Sequence, residues 1–170
     1  MHQRCIIVNN TTKGLVFGLY TERSSYIFGV NQKGALQSLH WGAVIRIEDC
    51  IDKLTNMQLA TFDAELERER EEFSPWGGLS YVEPTLKLEY PDGNRDLCLQ
   101  YVSHEIDTGD KTSLLSIILK DPKYPCEVVL YYKVIKDYDL IERWVEIKNK
   151  GKEAITLESV LSAAWNIPCC

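Results

Sequence analysis

Apolar side chains return at every second position through most of the chain. In "TLKLEYPDGNRDLCLQY" (residues 85–101), Leu86, Leu88 and Tyr90 share one face, and Thr85, Lys87 and Glu89 the other. That period of two marks a half-buried strand. Pro91-Asp92-Gly93-Asn94 then offers turn chemistry, because proline presets φ and glycine accepts positive φ. A return strand is predicted beyond it, with Leu97, Leu99 and Tyr101 facing inward. Residues 15–20, 26–30 and 35–41 read as further strands, the last two joined by an Asn31-Gln32-Lys33-Gly34 turn. Residues 114–120, 127–135 and 140–147 are rich in Val, Ile, Leu and Tyr and predict three more. Asn149-Lys150-Gly151-Lys152 reads as a hairpin turn before a returning strand over 154–164. Short strands at even spacing with Gly and Asn turns predict an all-β fold, an antiparallel β-sandwich or barrel.

One segment breaks this rhythm. "FDAELEREREEF" (residues 62–73) places Phe62, Leu66 and Phe73 near one helical stripe, with Glu67/Arg70 and Arg68/Glu72 spaced for side-chain pairs. It reads as a short solvated helix or an acidic loop, the alternative being a binding loop that carries carboxylates. It lies within residues 43–79, a stretch too long for a routine β-connection, and such loops in compact domains are often functional.

Composition narrows the classes. A chain of 170 residues suits one domain and buries roughly 70% of its unfolded surface without a disulfide or metal staple. A net charge of -6 argues against a nucleic-acid partner, which requires clustered Lys and Arg. The apolar runs are too short to cross a bilayer, and "MHQRCIIVNNTTKG" has neither the apolar core nor the cleavage site of a signal peptide. The six cysteines are scattered with no C-x-x-C pair, so reduced thiols, a cytoplasmic location and no metal site or cofactor are expected.

No nucleophile elbow, zinc-helix, phosphate-loop or dinucleotide fingerprint occurs. A glycosidase-like carboxylate pair could be drawn from Asp49, Asp52, Asp63 or Glu65, but nothing fixes their separation, and solvated acids are the simpler reading. His40-Trp41-Gly42 closes a strand on an aromatic pair. Trp41 is read either as a strand end sealing the core or as a platform for the apolar face of a sugar. His104 sits on a strand and reads as a satisfied structural histidine.

The order of landmarks resembles the N-terminal domain of family 36 glycoside hydrolases, the α-galactosidase (melibiase) type. "SSYIFGV" and "GALQSLHWG" (residues 24–30 and 34–42) match its entry hairpin, and "FSPWG" (73–77) its "Y-P-x-Y-G" turn. "YVSHEIDTGD" (101–110), "LSIILKD" (115–121), Leu130-Tyr131-Tyr132, "LIER" (140–143), Asn149-Lys150-Gly151 and Ser162 through Pro168 follow in the family's order. Two departures stand out. Ser80 and Val82 replace the family's Asp and Arg, and a "G-L-P-A-T-Y" segment is missing after Gly109.

The resemblance implies a β-supersandwich of the galactose-mutarotase type spanning 1–170. A catalytic (β/α)8 barrel is expected beyond residue 170 and would carry the catalytic carboxylates, so this chain has none of its own. It also implies an α-galactoside substrate such as melibiose or raffinose, contact with the parent's own barrel, and homo-oligomer contacts. The residues expected at the sugar are Trp41, Asp49, Asp52 and Trp76, while the family's sugar-binding arginine falls near Ala60 and is lost. Two alternatives remain: a free-standing carbohydrate-binding or structural sandwich, and a parent that is an α-N-acetylgalactosaminidase or a galactosyl transferase.

Overall fold

The computed structural model describes residues 5–55, 71–77 and 83–165. Among the described residues, ten strands run in the order β1 (Ile6–Thr11), β2 (Gly14–Tyr20), β3 (Ser24–Asn31), β4 (Leu36–Ala43), β5 (Leu86–Glu89), β6 (Gln100–Thr108), β7 (Thr112–Lys120), β8 (Cys126–Ile135), β9 (Leu140–Asn149) and β10 (Thr156–Val160). The first four form one antiparallel meander, β6 to β9 form a second, and β5 pairs with β10 as a small third sheet.

The two meanders pack face to face. Leu115, Ile117 and Leu119 of β7 and Val128, Leu130, Tyr132 and Val134 of β8 point inward with period two. They meet Phe17, Leu19, Tyr26 and Phe28 from the first sheet. Phe28 stacks on Tyr132 at 4.9 Å and on Phe17 at 5.3 Å. His104 donates or accepts a 2.7 Å hydrogen bond with the Tyr101 hydroxyl and lies edge-on to Phe17. Burial holds its pKa below the ordinary imidazole value, in keeping with a structural histidine.

The first sheet is covered on its other face as well. A 3-10 turn, Ile47–Lys53, lays Ile47, Cys50 and the following Leu54 on Val16, Ile27 and Leu39. This is why β3 is buried almost throughout. Two glycines make the seat for Leu54. A Cβ on Gly29 would meet a Leu54 methyl at 3.1 Å, and one on Gly14 would meet the other at 3.0 Å. Gly14 also has φ +144, a conformation that other residues rarely adopt.

Three expectations need correction. β1 is a full strand in a segment from which the sequence pattern predicted none. The predicted hairpin over 85–101 does not close: the turn after Tyr90 forms, but residues 94–99 are not a strand, and Gln100 and Tyr101 open β6, which pairs with β7 instead. Amides within 94–99 bond elsewhere, Leu97 N to Trp76 O and Cys98 N to the Asp121 carboxylate. The predicted hairpin after Asn149 likewise opens out. The Asn149 side chain caps the turn through Gly151 N and Glu153 O, and β10 then crosses to β5. The helix read over 62–73 lies outside the described residues apart from its last three. Of these, Glu72 and Phe73 are buried rather than solvated.

Candidate substrate-facing site

Two parts of the surface carry the residues expected at a sugar. The first is the 3-10 turn over the outer face of the first sheet. Its apolar underside fixes its position, so Asp49 and Asp52 point away from the sheet. Asp49 takes a forked hydrogen bond from Arg46 at 3.0 and 3.3 Å, which holds its carboxyl below the ordinary carboxylate value. Asp52 pairs with Lys13 at 2.9 Å. Both pairs are solvent-exposed and hold little energy, so hydroxyl ligands can replace either partner at small cost.

The second part is a seam between the two meanders, where Arg143 of β9 donates to Tyr26 Oη of β3 at 3.2 Å and Trp41 of β4 lies beside that tyrosine. Tyr26 and Trp41 are cross-strand partners, so Trp41 lies on the core-facing side of β4 but at its open end. Its ring is edge-on to Tyr26 at 6.4 Å and lies 4.7 Å from Trp165. The two indoles are 53% and 49% exposed, which rules out the reading of Trp41 as a core residue. Trp41→Ala is therefore expected to cost only about 1 kcal/mol, the value of burying about half a large ring. Urea denaturation of the chain checks this.

Beneath the indole pair lies a buried ionic cluster. Glu72 is fully buried and accepts from Tyr26 Oη at 2.6 and 2.7 Å, Tyr132 Oη at 2.9 Å and Arg143 Nη1 at 2.6 Å. Arg143 also donates to the Glu72 carbonyl at 2.8 Å and lies 5.1 Å from the centre of the Tyr132 ring. Trp165 Nε1 donates to Tyr26 Oη at 3.3 Å, tying the exposed indole to the cluster. Burial pushes the Glu72 carboxyl above its ordinary value, while Arg143 and the two hydroxyls pull it back. Burial also works against the Arg143 charge, but Tyr132, Glu72 and Tyr26 outweigh it and raise its pKa. Burial and the Glu72 charge raise both tyrosines well above the ordinary phenol value, so they stay protonated as donors.

Trp76, the fourth expected residue, stands apart against β5. Its amide donates to Leu86 O, and Lys87 Nζ sits 5.5 Å from the centre of its half-exposed ring. Among the described residues, no hydrogen bond, ion pair or ring contact joins Asp49 or Asp52 to Trp41 or to Trp76. His40, beside Trp41, bonds through Nε2 to the Ala43 carbonyl at 2.9 Å.

The pattern gave no sign of Glu72 as a buried residue, yet a signal existed. Arg143 occupies an inward position in "LIERWVEIKN", alternating with Ile141, Val145 and Ile147. A charge in such a row requires a buried counter-charge.

The fold is thus an antiparallel sandwich with an acidic turn on one face and an aromatic seam along one edge. The sequence profile of the glycosyl hydrolase family 36 N-terminal domain matches residues 34–170, and the chain belongs to that family. Alpha-galactosidase Mel36A of Lactobacillus acidophilus is 26% identical over 171 aligned residues, covering 86% of this chain and 23% of that protein. Alpha-galactosidase 1 of Pediococcus pentosaceus is 28% identical, with the same coverage of 86% and 23%. The solved galactosidase domain of the alpha-galactosidase-sucrose kinase AgaSK superposes with a TM-score of 0.81 at 26% identity, over 93% of this chain and 25% of that one. The solved alpha-galactosidase of Lactobacillus brevis, at 19% identity and a TM-score of 0.78, matches in fold over 91% of this chain and 24% of its own. The chain spans about a quarter of the length of these relatives. No helix among the described residues is long and apolar enough to cross a membrane.

Proposed function

We propose that this chain is the non-catalytic N-terminal domain of a longer retaining glycosidase acting on α-galactosides such as melibiose or raffinose. The observation that carries this reading is the match along most of the chain to one quarter of proteins named alpha-galactosidases. The catalytic carboxylates lie in a (β/α)8 barrel beyond residue 170, about 5–5.5 Å apart as retention requires. The domain buttresses that barrel and contributes to oligomer contacts. Its connection over 43–79 presents Asp49 and Asp52, with Trp41 and Trp76 as aromatic surfaces, toward the sugar.

Two features support a docked partner. Trp41, Val44, Leu157, Val160, Leu161 and Trp165 are exposed large apolar side chains on β4, β10 and the segments that follow them. Trp41 and Trp165 touch each other, so the two elements share one surface. Cys5, Cys50, Cys98 and Cys126 are unpaired thiols, which supports a cytoplasmic location.

The purified chain is expected to hydrolyse no aryl α-galactoside, and a longer protein carrying it to do so. Turnover by the chain alone would falsify the assignment of catalysis to a barrel. A second reading, a free-standing carbohydrate-binding sandwich, is favoured by the Ser80 and Val82 departures. Calorimetric titration of the chain with melibiose and raffinose separates the two. Tight binding by the chain alone favours the second reading.

A further inference from the structure

The acidic turn is held from below by Leu54 and from its far end by two side-chain amides, of which Gln37 makes the larger share of the contacts. Gln37, on β4, is 2% exposed and faces the same side of the sheet as Gly29, its strand partner. Its Oε1 accepts from Thr55 N at 3.0 Å, and its Nε2 donates to Thr55 O at 3.1 Å. A carboxamide that takes both the N–H and the C=O of one residue reproduces what a neighbouring strand would offer. Asn31 Nδ2 adds a second donor to Thr55 O at 3.1 Å, and its own Oδ1 accepts from Lys33 N and Ala35 N. The Gln37 backbone meanwhile forms an antiparallel bridge with Glu71, and Glu72 N donates to Leu36 O. The described residues on either side of 56–70 are therefore both attached to Gln37, one through its side chain and one through its main chain.

The inter-sheet core does not involve Gln37, and a buried amide offers nothing to an apolar interior. Its side-chain hydrogen bonds, including a longer one from Nε2 to Thr55 Oγ1 at 3.4 Å, are spent on one residue, Thr55, three positions after Asp52.

We propose that Gln37 is a positioning residue for sugar binding: it sets where Asp49 and Asp52 stand relative to the sheet, and so how they meet the hydroxyls of an α-galactoside. This rests on the reading of the acidic turn as a sugar contact. Losing the clamp frees the Thr55 amide and leaves only Asn31 on the Thr55 carbonyl, which loosens the end of the turn without touching the groups that carry out bond cleavage. The ground state and the transition state are then weakened alike, and the loss falls on KM.

The test uses the longer enzyme that carries this domain. Gln37→Leu is expected to raise KM for an aryl α-galactoside about tenfold with kcat held within about twofold. Gln37→Glu keeps the acceptor for Thr55 N and loses the donor to Thr55 O, so its KM is expected to lie between, and it stands in should the leucine variant fold poorly. Asp49→Asn with Asp52→Asn is the reference for the sugar contact. Hydrogen exchange on this chain gives an independent readout, with the Thr55 amide expected to exchange about tenfold faster in Gln37→Leu. A raised KM in the double asparagine variant with an unchanged KM in Gln37→Leu overturns the positioning role alone. An unchanged KM in both overturns the sugar-contact reading, and the positioning role falls with it. An unchanged Thr55 exchange rate overturns the clamp itself.

Discussion

Glu72→Ala is expected to lower the stability of the chain by about 3–5 kcal/mol, the usual result of breaking a buried ion pair from one side. The cause is what it leaves behind. Arg143, whose side chain is 7% exposed, would stand in the seam with its charge uncompensated, and two buried tyrosine hydroxyls would lose their acceptor. The pair itself is not the source of stability. Taking both charges out of water costs nearly what their attraction returns, so Glu72→Met with Arg143→Met is expected to recover the part of the loss due to the stranded Arg143 charge, while the Tyr26 and Tyr132 hydroxyls still lack their acceptor. Urea denaturation of the single and double variants measures the difference. A single variant that loses less than about 1 kcal/mol would mean that water reaches the seam and screens Arg143. Trp165 adds a spectroscopic check, because its indole is tied to the cluster through Tyr26. Its emission is expected to shift to the red in Glu72→Ala before global unfolding begins.

Phe28→Ala is expected to cost a similar amount, about 3–5 kcal/mol, by a different route. Phe28 is fully buried at the centre of an aromatic stack, between Phe17 and Tyr132, with Tyr26 at 5.7 Å. Removing it leaves a cavity that β3 cannot close, because Gly29 and Ile27 on the same strand hold the acidic turn against the opposite face. The loss should show as a lower denaturation midpoint with an unchanged slope, since the surface exposed on unfolding stays the same. A changed slope would mean that the two meanders unfold separately rather than as one unit.

The strands of the second meander were legible where one face is buried and the other is not, and β2 and β3 of the first by their apolar, β-branched and aromatic runs. Ile141, Val145 and Ile147 of β9 pack against the core and alternate with exposed Glu142, Trp144 and Glu146, and that period can be read from one strand without knowing its partner. Leu86, Leu88 and Tyr90 were legible in the same way, and all three are buried. Their partner was not. The turn at Pro91-Asp92-Gly93-Asn94 forms as its residues demand, yet β5 joins β10, some seventy positions away, because the amides of Leu97 and Cys98 bond to Trp76 and Asp121 instead. Local turn chemistry fixes where a chain bends. It does not fix which strand lies alongside.

The candidate site divides along the same line. Trp41, Asp49, Asp52 and Trp76 could be named from residue type and family resemblance, but the pattern could not say which were buried. It left Trp41 between a core role and a surface role, and the packing of Trp165 on one side and Tyr26 on the other settles it as half-exposed. Glu72 stands at the end of the charged run "ELEREREEF", where every local rule assigns it to solvent. It is buried because Tyr26, Tyr132 and Arg143, drawn from three strands, converge on one point.

By itself, the sequence determined an all-β domain with its strands and turns, and through the order of its motifs the family to which it belongs. Those properties follow from periodicity and residue type, which are local. Only the tertiary structure decided that a glutamate belongs inside, that a tryptophan belongs at the surface, and that a glutamine on β4 bonds the residue at the end of the acidic turn. Each of those depends on groups far apart in the chain arriving within hydrogen-bond or ring-contact distance, and no local pattern records that.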